Sequence, residues 1–293
     1  MSRCQRGILA PVPPLACYLM FTATPGKNPA GSLRSLRMLA DGVETVVGLG
    51  ESLVRAVGRE IRGLEVFPRY SAPGIDVPST PAALWCWLRG TDRGDLVHRA
   101  RAVVRSLAPG LQLQMAIDAF RYKSGFDLSG YEDGTENPKG SAAVKTAVVA
   151  GQGLGLDGGS CVAVQQWVHD FEALELMTDQ EQDRAIGRRK RDNKELGNAP
   201  AAAHVKRTAQ ESFSPAAFIV RRSMPWADAH QAGLMFVAFG NSFDAFDALL
   251  RRMVGVDDGI TDALFKFTRP VSGSYFWCPP MSRGRLDLRA LGL

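Results

Sequence analysis

Ser160-Cys161-Val162-Ala163-Val164-Gln165-Gln166-Trp167-Val168 opens after two glycines and is rich in β-branched and apolar residues, so it reads as a strand. Phe171 to Ile186 follows as a helix, with Asp170 near its start as an acidic N-terminal signal. Ala217 to Arg222 and Leu234 to Phe239 are then adjacent apolar runs. Phe243 to Met253 reads as a helix and Ser274 to Cys278 as a closing strand. This order, β-α-β-β-α-β, is the ferredoxin-like supersecondary unit.

Upstream, a similar order recurs. Leu15 to Ala23 reads as a strand, and Ser32 to Val43 as an amphipathic helix with Leu33, Leu36 and Leu39 on one side. Val46 to Leu49 is a short apolar run, and Ala82 to Leu88 a β-rich one containing Trp85 and Trp87. Asp95 to Leu107 is a helix with an acidic first turn and basic later ones, and Leu111 to Phe120 a further strand. No residue-level repeat accompanies the similarity. The expectation is an α+β protein of two ferredoxin-like halves, residues 1–126 and 127–293, each an antiparallel sheet with helices on one face. Pro68 to Pro81, Asp127 to Gly159 and Asp192 to Ser214 break the regularity and read as loops. Long loops in a compact domain are more often functional than idle.

Composition removes several classes. The 293 residues carry a net charge of +5 and a pI near 9.1, but apart from Arg188-Arg189-Lys190-Arg191 the basic residues are spread along the chain, which argues against nucleic acid as a partner. The five cysteines are odd in number and lack any C-x-x-C or short Cys/His spacing, against a disulfide framework, a zinc site or covalent haem attachment. Arg3 and Arg6 precede a mostly apolar run from Ile8 to Ala23 that resembles a secretory signal. Pro11, Pro13 and Pro14 interrupt it, and Leu15 to Phe21 is too short to span a membrane. A soluble cytoplasmic protein without a membrane partner is expected.

The candidate chemistry lies in the loops. In Gly130-Tyr131-Glu132-Asp133-Gly134-Thr135-Glu136-Asn137-Pro138, glycines on each side of Asp133 permit positive φ and Pro138 stiffens the exit, so Asp133 sits on a shaped turn. Taken alone, such a segment is more often a surface turn than a site. Of four histidines, His98 reads as a solvated helix residue, His169 as a capping or packing residue at a strand end, and His230 as a loop residue. His204 differs, because Ala201-Ala202-Ala203 leave room before it and Lys206 and Arg207 follow as partners for anionic groups. Arg221 and Arg222 end a strand and alternate across it, so only one of them points toward a central cavity; the bland alternative is a pair of edge charges. Phe236 is a core aromatic unless a cavity adjoins it.

Together these residues resemble the dye-decolourising peroxidase family, most closely its bacterial cytoplasmic subgroup, class B or P. The resemblance rests on Gly130 to Pro138 and on matches in family order: Gly158-Gly159-Ser160 leading to Gln166-Trp167-Val168-His169, Ile186-Gly187-Arg188, Ala203-His204, and Ile219-Val220-Arg221-Arg222-Ser223-Met224-Pro225. Gly233-Leu234-Met235-Phe236, Asp262 to Thr268 and Pro270 to Phe276 complete it. It covers nearly the whole chain from Gln5.

The resemblance implies a haem b peroxidase, commonly oligomeric, that reduces hydrogen peroxide through an oxyferryl haem and oxidises small dye-like or phenolic donors by single electrons. His204 would be the axial iron ligand, with Asp262 on its far nitrogen and Asp258 as the substitute. Asp133 and Arg221 would act on peroxide at the opposite face, Ser223 would order a water there, Phe236 would pack over the haem, and Arg188 and Arg207 would contact the cofactor. A haem-handling protein that binds or stores haem, or strips its iron, is the alternative use of the same pocket.

Overall fold

A computed structural model describes residues 3–293. In chain order the elements are β1 (Leu15–Ala23), α1 (Ala30–Leu39), β2 (Thr45–Leu49), α2 (Glu51–Ala56), β3 (Tyr70–Ala72), β4 (Ile75–Val77), β5 (Leu84–Gly90), α3 (Arg93–Leu107) and β6 (Leu111–Phe120). There follow α4 (Gly140–Ala147), β7 (Ser160–His169), α5 (Phe171–Leu176), α6 (Asp179–Ile186), α7 (His204–Arg207), β8 (Val220–Arg221), β9 (Met224–Ala227), β10 (Ala232–Gly240), α8 (Asp244–Val254), β11 (Thr268–Pro270) and β12 (Ser274–Cys278).

Two separate sheets are expected from the sequence, and the structure corrects this. Strands β2-β5-β1-β6 form one antiparallel set and β12-β7-β10-β9 another. They join at two seams, Trp277 of β12 opposite Leu49 of β2 and Ala119 of β6 opposite Trp226 of β9. The eight strands close into an antiparallel ring resembling a barrel. The outer strands of each set carry unpaired backbone groups, and pairing them across the seams satisfies both sets at once.

Strand alternation then sorts the side chains into two layers. Inside the ring, Tyr18, Trp85 and Trp87 meet Val164, Met235, Val237, Phe239 and Phe276 in one apolar cluster. Trp85 stacks on Phe276 at 6.1 Å between ring centroids and Tyr18 on Trp87 at 6.3 Å. Such aromatic pairs add to the burial of their large apolar area. Outside, helices α1 and α3 cover the first set through Leu33, Leu36, Leu96, Val103 and Leu107. Helix α3 begins at Asp92, whose carboxylate accepts from the Asp95 amide at 3.0 Å, a cap of a kind worth about 1 kcal/mol.

The single helix expected over Phe171 to Ile186 is two. Thr178 accepts from the Glu181 amide and Glu181 from the Thr178 amide, a capping box that starts α6 and ends the run from α5. Helix α1 stops at Leu39 instead of reaching Val43, because the Asp41 carboxylate takes the amides of Val43, Glu44 and Thr45, each at 2.9 Å, and turns the chain into β2. The loop expected over Asp127 to Gly159 contains α4, and the one over Pro68 to Pro81 contains the β3–β4 hairpin. After β12, Leu286, Leu288 and Leu291 pack the tail onto the first set. Among the described residues no helix is long and apolar enough to cross a membrane.

Candidate active site

Between the outer face of β7 and β10 and the connections that cross it lies a cavity of about 390 Å³, within the roughly 300–1,000 Å³ usual for small-molecule and cofactor sites. Leu234 and Phe236 of β10, Ile219 beside β8 and Leu249, Leu250 and Met253 of α8 give it an apolar wall. Asp133, His204 and Arg221 all open onto it.

Asp133 is held by backbone turns. Its amide donates to the Gly125 carbonyl at 3.0 Å, and Asp127 donates to Tyr131 at 2.8 Å. Gly130 and Gly134 sit at φ +90° and +76°, the left-handed conformation for which the segment needs glycine. The Asp133 carboxylate lies 3.3 Å from Nη1 of Arg221, and both side chains are mostly buried. The Nε of Arg221 is buried with no hydrogen-bond partner, an unsatisfied donor on the cavity wall. Arg222 turns the other way, donating to the carbonyls of Ile8 at 3.1 Å and Leu9 at 3.0 Å. Burial, then the nearby Arg89 charge, lowers its pKa. Arg221 is thus the inward member of the pair.

His204 opens the one-turn helix α7, which packs against the end of α6. Gly187, at φ +90°, ends α6; a Cβ there would lie 2.3 Å from Cγ2 of Val205, so only glycine lets α7 sit this close. Nδ1 of His204 is 2.8 Å from Oδ2 of Asp262, whose Oδ1 accepts from the Leu264 amide at 2.8 Å. Asp262 is buried, and the pairing orients the imidazole and leaves Nε2 without a hydrogen-bond partner among the described residues. Asp258 is not a substitute: it takes Arg207 in two 2.7 Å bonds, and this hydrogen bonding first of all holds its carboxyl below the usual range.

Two expected site residues are displaced. Arg207 does not line the cavity; its guanidinium is drawn to the Arg252 carbonyl near the end of α8 and to Asp258, a favourable place for a cation. Ser223 is buried but also off the lining, with its Oγ 3.5 Å from the Val237 amide. Arg188 does line the cavity, pairing with Glu136 at 2.7 Å and Glu195 at 3.6 Å, and Lys206 lines it beside Glu195 at 3.2 Å. Phe236 lies on the wall and tilts against Phe246 at 6.0 Å.

Sequence reading misses His169 as a wall residue. Its Nε2 is 2.9 Å from Asp127 and its Nδ1 2.8 Å from Thr268, and all three line the cavity. Burial pushes the Asp127 carboxyl up, but the His169 hydrogen bond and charge and the two Ser129 donors outweigh it and hold the carboxyl below the usual range. The available signal was the place of His169 in β7, two and four residues after the lining residues Trp167 and Gln165. Asn137 is missed as well: its Oδ1 accepts from the Arg221 amide at 2.7 Å and its Nδ2 donates to the Arg221 carbonyl at 3.1 Å.

Known proteins resemble this chain in sequence and in fold. The family model described as Dyp-type peroxidase, C-terminal, matches residues 125–283, more than half of the chain and the part that builds the cavity. A dye-decolorizing peroxidase of Mycobacterium tuberculosis is 28% identical over 293 residues, spanning 93% of this chain and 87% of the relative. Among solved structures, a dye-decolorizing protein from V. cholerae superposes with a TM-score of 0.84 at 31% identity, over 93% of this chain and 96% of its own. A variant of DypB from Rhodococcus jostii, solved in complex with haem, does so with a TM-score of 0.84 at 25% identity, over 93% and 94%. A family match across the segment that carries Asp133, His204, Arg221 and Asp262, with relatives spanning nearly the whole chain, places this protein in the DyP-type peroxidase family.

Proposed function

We propose that this enzyme is a haem b peroxidase that holds its cofactor between His204 on one side and the Asp133–Arg221 pair on the other. One observation carries the reading: an imidazole fixed through Nδ1 by a buried carboxylate, with Nε2 unpartnered, shares a largely apolar cavity with an arginine whose Nε is also unpartnered. That donor set fits haem, since the free nitrogen suits iron and the apolar wall suits a macrocycle. The haem-bound relative supports the same assignment.

When bound, haem would supply an iron able to take two oxidising equivalents from hydrogen peroxide and to be returned to rest by single electrons from a small donor. His204 would hold the iron through Nε2, the ring nitrogen that Asp262 leaves free. Asp262 keeps the proton on Nδ1 and strengthens donation from the ring. Asp133 accepts the proton from one peroxide oxygen and returns it to the other, which leaves as water. Arg221 offers a fixed positive charge to the oxygen that departs. Phe236 would pack against the macrocycle, and Arg188 and Lys206 are cations on the lining that could meet its carboxylates.

The strand orders β2-β5-β1-β6 and β12-β7-β10-β9, with helices between the same members of each set, support two ferredoxin-like halves, residues 1–126 and 127–293. Dye-like or phenolic donors, a cytoplasmic location and a homo-oligomer follow from the family resemblance.

Arg221→Leu and Asp133→Ala test the reading. Both are expected to keep haem but to react with peroxide more slowly in stopped-flow absorbance, by about 10²–10³-fold for loss of the charge and about 10²–10⁴-fold for loss of proton transfer. Arg221 is expected to show the larger effect, because a water can relay the proton when Asp133 is gone whereas Arg222 is tied to Ile8 and Leu9. Wild-type rates in both haem-loaded variants would overturn the assignment in favour of a haem-handling role.

A further inference from the structure

The chain from Gly134 to Asn137 folds back on itself, with the Asn137 amide donating to the Gly134 carbonyl at 3.0 Å. This turn delivers the Asn137 carboxamide to the backbone of Arg221, where it accepts from the amide at 2.7 Å and donates to the carbonyl at 3.1 Å. Strand β8 is two residues long and pairs with β10 on one side only. The Arg222 amide donates to Val237 of β10, so the amide and carbonyl of Arg221 face the other way, as antiparallel pairing requires. Asn137 fills that other side as one residue of a neighbouring strand would.

The fit is tight. A Cβ at position 134 would lie 2.7 Å from Nδ2 of Asn137, so Gly134 is needed for space as well as for its positive φ. A second carboxamide stitches the same segments together: buried Gln210 accepts from the Ile219 amide at 2.9 Å and donates to the Glu136 carbonyl at 3.4 Å. The Arg221 guanidinium, by contrast, has an unpartnered Nε and meets Asp133 at 3.3 Å, so its position depends on where its backbone is held.

We propose that Asn137 is a positioning residue for Arg221: its carboxamide docks the loop that carries Asp133 onto β8 and so sets the guanidinium opposite the carboxylate. This rests on the reading of Asp133 and Arg221 as the pair that acts on peroxide. Nothing is transferred to or from Asn137, which acts only through the backbone of Arg221.

The test uses haem-loaded Asn137→Ala and Asn137→Asp, each alone and combined with Arg221→Leu, and has two readouts. Hydrogen exchange at the Arg221 amide is expected to quicken roughly tenfold in Asn137→Ala, the scale of one lost hydrogen bond, and to quicken less in Asn137→Asp, which keeps the acceptor but sets a carboxylate oxygen in place of the donor to the Arg221 carbonyl. The stopped-flow reaction with peroxide is expected to slow by about 10- to 100-fold in Asn137→Ala and by less in Asn137→Asp, the scale of a sub-ångström to ångström misplacement. Asn137→Ala combined with Arg221→Leu should be no slower than Arg221→Leu alone, because both act through one group. A wild-type peroxide rate in Asn137→Ala beside a slow Arg221→Leu overturns the positioning role and leaves the distal reading standing. Multiplicative slowing in the double variant also overturns it, and a wild-type rate in Arg221→Leu removes the reading beneath it. Should Asn137→Ala not fold, Asn137→Asp and its double variant decide by the same criteria.

Discussion

On the outer face of β1, Cys17, Leu19 and Phe21 close directly against the leucines and valines of α1 and α3, whereas the same face of β7 presents Gln165, Trp167 and His169 to a cavity. The two strands hold equivalent places in their sets, each the first strand of its set and lying between the third and the last. What differs is the side chains at alternate positions and the connection that follows. After β1 the chain lays one helix on the sheet; after β7 it spends residues 170–219 on three short α-helices, a 3-10 turn and extended segments, and brings His204 in at the start of α7. A cofactor-sized hollow therefore needs no new strand order. Polar residues on one strand face and a longer crossover are enough to keep the helices from closing on the sheet.

The sharpest way to break this comparison is to remove the imidazole proposed to hold the cofactor in the hollow. His204→Ala is expected to abolish histidine-ligated haem, because among the lining residues the other imidazole, His169, has both nitrogens engaged by Asp127 and Thr268. Haem content and the ligation spectrum of the purified variant are the check, and a wild-type spectrum would falsify the proximal assignment. A smaller effect contrasts the filled and hollow faces. Phe21→Ala, in the fully packed layer, should cost about 3–5 kcal/mol in denaturant unfolding. Phe236→Ala, half-buried on the cavity wall, should cost clearly less; equal losses would show that the second face is packed as tightly as the first.

The smallest expected effect concerns the polar wall. The folded Asp127 carboxyl titrates below its unfolded value of about 3.9, so it contributes stability present above that pH and lost as the pH falls through the folded value. Asp127→Asn should therefore be less stable than wild type near neutrality, with the difference shrinking below pH of about 4. Urea unfolding at neutral and acid pH measures it, and a difference independent of pH would mean that Asp127 acts through shape alone.

Much of the strand framework is legible in the sequence because its signals are local. Leu111–Phe120 and Ser274–Cys278 have the boundaries expected from their apolar runs. The break between α5 and α6 was also written locally, in Thr178-x-x-Glu181, but helical periodicity outweighed it. Closure of the ring left no such trace, since Leu49 meets Trp277 and Ala119 meets Trp226 through pairings of residues far apart in the chain. At the site, the residue types of His204, Arg221 and Asp133 marked them as candidates. The family resemblance favours Asp262 over Asp258 there, and the structure adds the physical reason, since Asp258 is already taken by Arg207. The same bond explains why Arg207, next to the site in sequence, is not part of its lining.

The two seams have a meaning beyond closure. The outer strands of the first set are β2 and β6, those of the second β9 and β12, and each is paired across a seam. A four-stranded sheet standing alone would offer two bare rows of amides and carbonyls, a template on which further copies of any chain can add strands. In this protein each set acts as the edge guard of the other, so resistance to strand-mediated aggregation belongs to the pair, and either half separated from its partner would have to find that protection elsewhere.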